Sequence, residues 1–229
     1  MRSNATCELA TIPIGTGMDF VRTHGISTTF AEAVGTARDG VARTVDVGRV
    51  TYRTWDGAEA ERYVANVGSV GMSAAVAQRA NGMSKAMGGK ATFFYALVRV
   101  FLEWENTVVG VELDGGERRD GRMHDVVVAN GQYHGGAMWL APGAEPDDGL
   151  LDVLLIGDVT KRDFITTAPK LYRGTHLSHP KVELVRSKTV AVDAPERLPI
   201  ELDGEQLGTT PVRFEVVPGA IRVRVPARA

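Results

Sequence analysis

The side chains of this sequence best suited to chemistry are carboxylates gathered in two short segments. The first, Pro142-Gly143-Ala144-Glu145-Pro146-Asp147-Asp148-Gly149-Leu150-Leu151-Asp152, sets four acids within eight residues on a Pro/Gly-rich stretch. Hard divalent cations take carboxylate and carbonyl oxygens from irregular backbone of this kind. The segment therefore reads either as a metal loop or as a solvated acidic turn. The second is Glu201-Leu202-Asp203-Gly204-Glu205, where strand alternation puts all three acids on one face if the strand runs on through the glycine. Carboxylates grouped in this way raise one another's pKa and can act as a general base or a metal ligand. The plainer reading is a polar strand face ending in a turn.

A third candidate is Gly15-Thr16-Gly17, between the apolar run 9–14 and a helix expected to start at Asp19. Backbone N–H groups at such a junction can bind phosphate, although tight turns use glycine for steric reasons as well. The pair His176-x-x-His179 lies beside Pro180 and lacks a third ligand. The sequence has neither a Gly-x-Ser-x-Gly elbow nor a His-Glu-x-x-His helix, so a hydrolase reading has no foothold. Between Lys161 and Lys188 seven Lys/Arg face only Asp163 and Glu183, a charge suited to an anionic membrane surface or to a solvated helix face.

These candidates need a scaffold, and 229 residues with 44% hydrophobic content are enough to build one. The net charge of −2 offers no bulk positive field, which argues against a nucleic-acid partner. The single cysteine, Cys7, excludes an internal disulfide and fits a reducing cytoplasm. The longest apolar stretch, 91–104, would reach only about 21 Å as a helix, too short to span a bilayer.

The patterning predicts a strand at 9–14, helices at 19–22 and 29–40, and a hairpin from 45–52 and 63–67. Helices follow at 72–79 and 90–103, the second apolar nearly all round and so expected to be buried. Strands at 108–113, 125–129 and 151–156 precede a Thr160-capped helix to Tyr172. Five short strands, 182–185, 189–192, 199–202, 212–216 and 221–225, close the sequence. The expected class is α+β, a β-rich, sandwich-like domain over 41–229 with a few packed helices, preceded by a strand-loop-helix fragment over 1–40.

In this order the segments resemble the bacterial lipid kinases of the diacylglycerol kinase catalytic-domain family. The matching elements are Ile12-Pro13-Ile14-Gly15-Thr16-Gly17-Met18-Asp19-Phe20, Val45-Asp46-Val47-Gly48, Val128-Ala129-Asn130-Gly131 with Gly135-Gly136, the stretch 142–153, and Asp203-Gly204-Glu205. Val217-Pro218-Gly219-Ala220-Ile221 and Val225-Pro226 also fit.

The resemblance implies transfer of the γ-phosphoryl of ATP to a lipid hydroxyl, such as that of diacylglycerol. The nucleotide would lie between an α/β nucleotide-binding domain, of which 1–40 is a remnant, and the β-rich lipid-kinase domain. By resemblance, Gly15, Thr16 and Gly17 belong to the nucleotide site and Asp19 lines the cleft. A structural Mg²⁺ is implied at Glu145, Asp148 and Leu150, the first and last through backbone carbonyls, with Asp46 joined to it by water. Asp203 and Glu205 fall at the catalytic end, Glu205 taking the proton of the acyl-glycerol hydroxyl. Phosphoryl transfer needs positioning, metal neutralisation of charge and a carboxylate to orient the nucleophile. A cytoplasmic enzyme bound peripherally to a membrane is implied, and a homodimer is compatible with it.

Two departures stand out. Met18 occupies the place of the family's Asn, and a thioether cannot replace an amide's donor and acceptor. The family's Gly-Gly-Asp-Gly-Thr loop does not occur in the sequence. The chain is therefore expected to be the lipid-binding and catalytic-base part of a kinase, lacking most of the nucleotide-binding domain and inactive alone. Two further readings remain: a non-catalytic lipid- or partner-binding β-rich module, and a relative that acts on a sphingoid base or polyprenol.

Overall fold

Valine, isoleucine and leucine alternate along much of the chain, and the structure, a computed structural model describing residues 7–15, 17–83 and 89–227, folds them into one strongly bent sheet. Its strands are β1 (Val41–Arg53), β2 (Glu59–Val64), β3 (Val67–Gly71), β4 (Thr107–Leu113), β5 (Glu117–Met123) and β6 (Asp125–Ala129). A separate two-residue pair, β7 (Tyr133–His134) with β8 (Met138–Trp139), precedes β9 (Leu151–Ile156), β10 (Val182–Ser187), β11 (Thr189–Asp193), β12 (Pro199–Leu202) and β13 (Glu205–Val225). The main sheet runs β10-β9-β6-β3-β12-β13-β11-β4-β5, and β1 pairs with both β13 and β2.

The two-residue period of a strand sends alternate side chains to opposite faces. In β6, Val126 and Val128 enter the large core with Val50, Val111, Ile200 and Phe214, whereas Val127 and Ala129 pack with Leu140, Ala141 and Leu154. The sheet is therefore covered on both faces around β6, β3 and β9, the strands that lead to the acidic segments.

Among the described residues five α-helices accompany the sheet: α1 (Asp19–Thr23), α2 (Phe30–Asp39), α3 (Met72–Asn81), α4 (Gly89–Glu103) and α5 (Lys161–Leu171). Val21, Ile26 and Ala33, in and between α1 and α2, pack on Val45, Val223 and Val225 of β1 and β13. Thr160 caps α5 in a reciprocal box with Asp163, as its sequence predicts.

Three expectations are corrected, and one strand, β5, is added. Residues 9–14 form no strand; Leu9 makes only an isolated bridge to Val223. The expected strands 212–216 and 221–225 are parts of the single β13, which bends through Pro218-Gly219. β5 was hidden by its composition, Glu117-Arg118-Arg119-Asp120-Gly121-Arg122-Met123, since an edge strand with a solvated face carries little hydrophobic signal. The helix expected to be buried, α4, is not. Among its described side chains it buries only Thr92, Ala96 and Val100, at i, i+4 and i+8, and leaves Phe94 66% and Leu102 58% exposed.

Candidate functional site

The site is built from two nodes and the side chain that joins them. The first lies where β1 departs from regular pairing. Val45 faces Ile221 and Val47 faces Val217, so residues 218–220 of β13 bulge opposite Asp46 alone. A bulge re-aims the side chain beside it, and Asp46 is buried. Its Oδ1 accepts the Gly219 N–H at 2.7 Å and its Oδ2 the Gly149 N–H at 2.8 Å. The Asp46 N–H donates to the Pro146 carbonyl at 2.7 Å. Asp46 therefore fastens the acidic loop to the sheet, and both of its carboxylate oxygens are occupied in doing so.

Within that loop the Asp148 N–H donates to the Glu145 carbonyl at 3.3 Å, and Asp148 Oδ1 accepts the Leu150 N–H at 3.0 Å. Asp148 Oδ2 lies 3.5 Å from Arg186 Nη1. Arg43 pairs with Asp147 at 2.6 Å, drawing that acid away from the others. Asp152, buried at the start of β9, accepts from Arg186 Nε at 3.3 Å; burial raises its pKa against the pull of Arg186.

The second node is the hairpin between β12 and β13. Asp203 (φ 49°) and Gly204 (φ 90°) make the turn, conformations that Asp tolerates and glycine favours. The Asp203 carboxylate accepts the N–H groups of Ala65, Asn66 and Val67 at 2.8, 3.0 and 3.0 Å. Burial pushes its pKa up while those three donors pull it down. Glu201, 1% exposed, accepts from Ser69 Oγ at 2.9 Å and from the Gly204 N–H, with His134 Nε2 3.5 Å from its Oε2. Glu205 follows, exposed, as the first residue of β13.

The expectation of Glu201, Asp203 and Glu205 along one strand face is corrected here, because the strand stops at Leu202 and the chain reverses. Glu201 is a buried anchor, Asp203 a clamp on the entry to β3, and Glu205 an exposed acid at the start of β13.

Asn130, buried at the end of β6, joins the nodes. Its Nδ2 donates to the Asp46 carbonyl and to the Ala65 carbonyl, both at 3.0 Å. The path Gly149–Asp46–Asn130–Ala65–Asp203 thus runs from the acidic loop to the hairpin through hydrogen bonds and backbone.

The N-terminal segment reaches the same place. Asp19 opens α1, its Oδ2 accepting from Gly136 N–H at 2.9 Å and its Oδ1 from Ala137 N–H at 2.7 Å. Thr23 Oγ1 accepts from Gln132 N–H at 3.0 Å and donates to Asn66 Oδ1 at 3.4 Å. Gly15 is exposed and Gly17 half-buried, whereas Thr16 lies outside the described residues. Met18 sits at φ 58°, a left-handed conformation that an asparagine adopts more readily than a methionine.

Asn66, Ser69 and His134 went unnoticed in the sequence. Each is a single polar residue within or beside a strand, with no spacing to mark it, and a Cβ on Gly131 would collide with Asn66 Oδ1.

The donors around 145–150 are all oxygens, which suits a hard divalent cation. The Glu145 carbonyl keeps a second lone pair and Asp148 Oδ2 is held only loosely by Arg186. Among the described residues no three His, Cys, Asp or Glu side chains are grouped to hold a metal. A site here would rest on one carboxylate and two backbone carbonyls.

At the other end of β3, Asp125, paired with Gly71, takes the place of a local cap for α3. Its Oδ2 accepts Ser73 N–H at 3.2 Å and Ser73 Oγ, and its Oδ1 has no partner among the described residues. Burial pushes this carboxyl up to about 8. A raised carboxyl pKa gives stability below the unfolded value, near 4, that is lost as pH rises through about 8. Buried His24 and His124, both lowered to about 4, oppose this trend only below the unfolded histidine pKa of 6.5. Between pH 6.5 and 8 the urea midpoint is therefore expected to fall for the native chain and to stay level for Asp125→Asn. Parallel declines in the two proteins would assign the titration to another group.

Comparison with known proteins places this curled antiparallel sheet, with its acidic loop and carboxylate hairpin, among the lipid kinases. The family described as "YegS C-terminal NAD kinase beta sandwich-like domain" matches residues 66–225, and "Diacylglycerol kinase catalytic domain" matches residues 1–50. The "Probable lipid kinase YegS-like" of Pseudomonas aeruginosa is 32% identical over 227 residues, covering 99% of this chain and 70% of that protein. The "Diacylglycerol kinase" of Mycobacterium tuberculosis is 27% identical over 219 residues, 95% of this chain and 69% of that protein. A crystal structure of a putative diacylglycerol kinase from Bacillus anthracis superposes with a TM-score of 0.72 at 24% identity, covering 95% of this chain and 68% of that one, a likeness of fold. The chain belongs to the YegS-like lipid kinase family.

Proposed function

We propose that the protein is the lipid-binding and catalytic-base part of an ATP-dependent lipid kinase, a reaction that moves the γ-phosphoryl of ATP to a hydroxyl of a diacylglycerol-type lipid, and that this chain, without the family's Gly-Gly-Asp-Gly-Thr loop, transfers slowly at most. The observation that carries this reading is the Gly149–Asp46–Asn130–Ala65–Asp203 path, which fixes the acidic loop relative to the turn that presents Glu205. The relatives named diacylglycerol kinase suggest the lipid acceptor.

In this reading Glu205 orients the lipid hydroxyl and accepts its proton, and Asp203 is a positioning residue that sets the turn. Asp19, with Gly15, Thr16 and Gly17, forms the nucleotide side of the cleft. Asp148 with the carbonyls of Glu145 and Leu150 would hold Mg²⁺, and Asp46 keeps that loop in register. Mg²⁺ held there would supply positive charge and rigidity to the acidic loop. The enzyme works at the cytoplasmic face of a membrane, where ATP and lipid meet; no helix among the described residues is long and apolar enough to cross one. The substitution of Met18 for the family's Asn favours the second reading, a module that binds lipid without nucleotide.

The test is to measure Mg²⁺–ATP binding, lipid binding and transfer of labelled phosphate to dihexanoylglycerol separately. The kinase reading expects lipid and nucleotide binding with transfer that is slow at most; robust turnover would overturn the incomplete-site argument, and lipid binding without nucleotide binding would favour the second reading. Millimolar Mg²⁺ is expected to raise the melting temperature of the chain but not of Asp148→Ala, since a ligand of the folded state alone stabilises it.

A further inference from the structure

The loop from α4 to β4, the turn before β6 and the start of α5 enclose a cavity of about 400 Å³, within the size range of small-molecule sites. His124, which lines it, precedes β6, whereas Asn130 of the candidate site follows β6, so roughly 20 Å of strand separates the two. Two of the lining residues carry a buried polar atom with no hydrogen-bond partner among the described residues: Nε2 of His124, a residue only 6% exposed, and Nε1 of Trp104. Buried polar groups are rarely left unpaired, because the desolvation is not returned.

The hydrogen bonds around His124 fix what kind of group would meet it. Asn106 Nδ2 donates to Asp158 Oδ1 and to the Val159 carbonyl, both at 2.8 Å, so the Asn106 oxygen is the atom 2.9 Å from His124 Nδ1. An amide oxygen only accepts, which puts the ring proton on Nδ1 and leaves Nε2 a lone pair. Burial lowers the His124 pKa to about 4, so the ring is neutral at neutral pH. The Trp104 indole N–H can only donate. A hydroxyl is the group that gives to the one and takes from the other.

The mouth of the cavity asks for negative charge. Arg122 and Lys161 stand there against one lining acid, Glu105. Arg122 is held loosely by Asp158, at 3.7 Å, and Lys161, which donates to the Leu102 carbonyl, keeps two further ammonium hydrogens. Thr160 Oγ1 accepts the Asp163 N–H in the cap of α5 and keeps its own hydrogen to donate. Asp163 itself is engaged by that cap and by Lys181. Two cations beside the positive end of α5 suit a dianion better than a carboxylate.

We propose that this cavity binds a small polyol phosphate, its hydroxyl donating to His124 Nε2 and accepting from Trp104 Nε1 while Arg122, Lys161 and Thr160 hold the phosphate. The site lies apart from phosphoryl transfer, and neither Glu205 nor the acidic loop takes part in it.

Binding is read on the full chain by NMR with nitrogen-labelled histidine and tryptophan, without ATP or lipid acceptor. The His124 Nε2 and Trp104 indole signals are expected to shift with millimolar sn-glycerol 3-phosphate, to shift less with ethyl phosphate, which lacks the hydroxyl, and to stay put with glycerol. Trp104→Phe keeps an aromatic ring but removes the donor, and is expected to weaken binding by about threefold to tenfold. Arg122→Gln, an exposed position, is expected to weaken it by about tenfold or more and to leave the melting temperature unchanged. The proposal is overturned if neither signal moves, if ethyl phosphate binds as well as glycerol 3-phosphate, or if both variants bind like the native chain. A response to dihexanoylphosphatidylglycerol alone would also overturn it, assigning the cations to a lipid headgroup instead. Turnover is not part of the readout, so failure of the kinase reading leaves this site standing.

Discussion

Replacing Asp46 with alanine is expected to destabilise the protein by about 1–3 kcal/mol, because it removes the buried carboxylate that accepts from two N–H groups, those of half-buried Gly149 and exposed Gly219, at about 0.5–1.5 kcal/mol net for each hydrogen bond. For a chain of this size, 1 kcal/mol moves the melting temperature by roughly 2–4 °C. A loss near the middle of that range would lower it by roughly 4–8 °C, readable by calorimetry. Asp46→Asn is expected to recover little of this, since one amide hydrogen would then face a backbone N–H. The loop should loosen before the sheet melts, so hydrogen exchange at Gly149 and Leu150 should accelerate more than exchange in β6. If Asp46→Ala melts with the native chain, the loop is held by something other than this carboxylate, and the path that carries the functional reading is broken at its first link.

The second large effect concerns chemistry. Glu205→Gln is expected to slow phosphoryl transfer to the lipid hydroxyl by about 10²–10⁴-fold, the range for loss of a positioned general base. The side chain is exposed and glutamine keeps its shape, so the melting temperature should hold. Single-turnover measurement with labelled ATP and dihexanoylglycerol reads even a slow rate. Asp203→Asn makes the contrast: it disturbs the clamp on residues 65–67 and is expected to lower stability and rate together. Equal transfer rates in Glu205→Gln and the native chain would remove Glu205 from the reaction.

Strands were legible in the sequence where one face is buried and the apolar residues alternate, as in β9, β11 and β12, and α5 was legible from its cap. Partnership was not. The same apolar density that makes 90–103 read as a buried helix is compatible with one packed along a narrow stripe of Thr92, Ala96 and Val100, because burial depends on what lies opposite. The acids of the site were visible as residue types and their grouping as a resemblance. Their division of labour was not, since the reversal at Asp203–Gly204 and the bulge at Asp46 decide which carboxylates are anchors. Asn130, Asn66 and His134 gain their meaning only from residues dozens of positions away.

The pairing of β1 with β13 has a consequence for synthesis of the chain. Val41 meets Val225 and Val50 meets Phe214, so a strand made early waits for one made about 170 residues later. At ~5–20 residues per second that delay is roughly 10–30 s. Throughout it the nascent chain displays an unpaired edge of thirteen residues, several of them apolar. Contacts so remote in sequence also slow folding after release. Chaperone occupancy on the ribosome should therefore concentrate on the β1–β2 hairpin and end when β13 emerges.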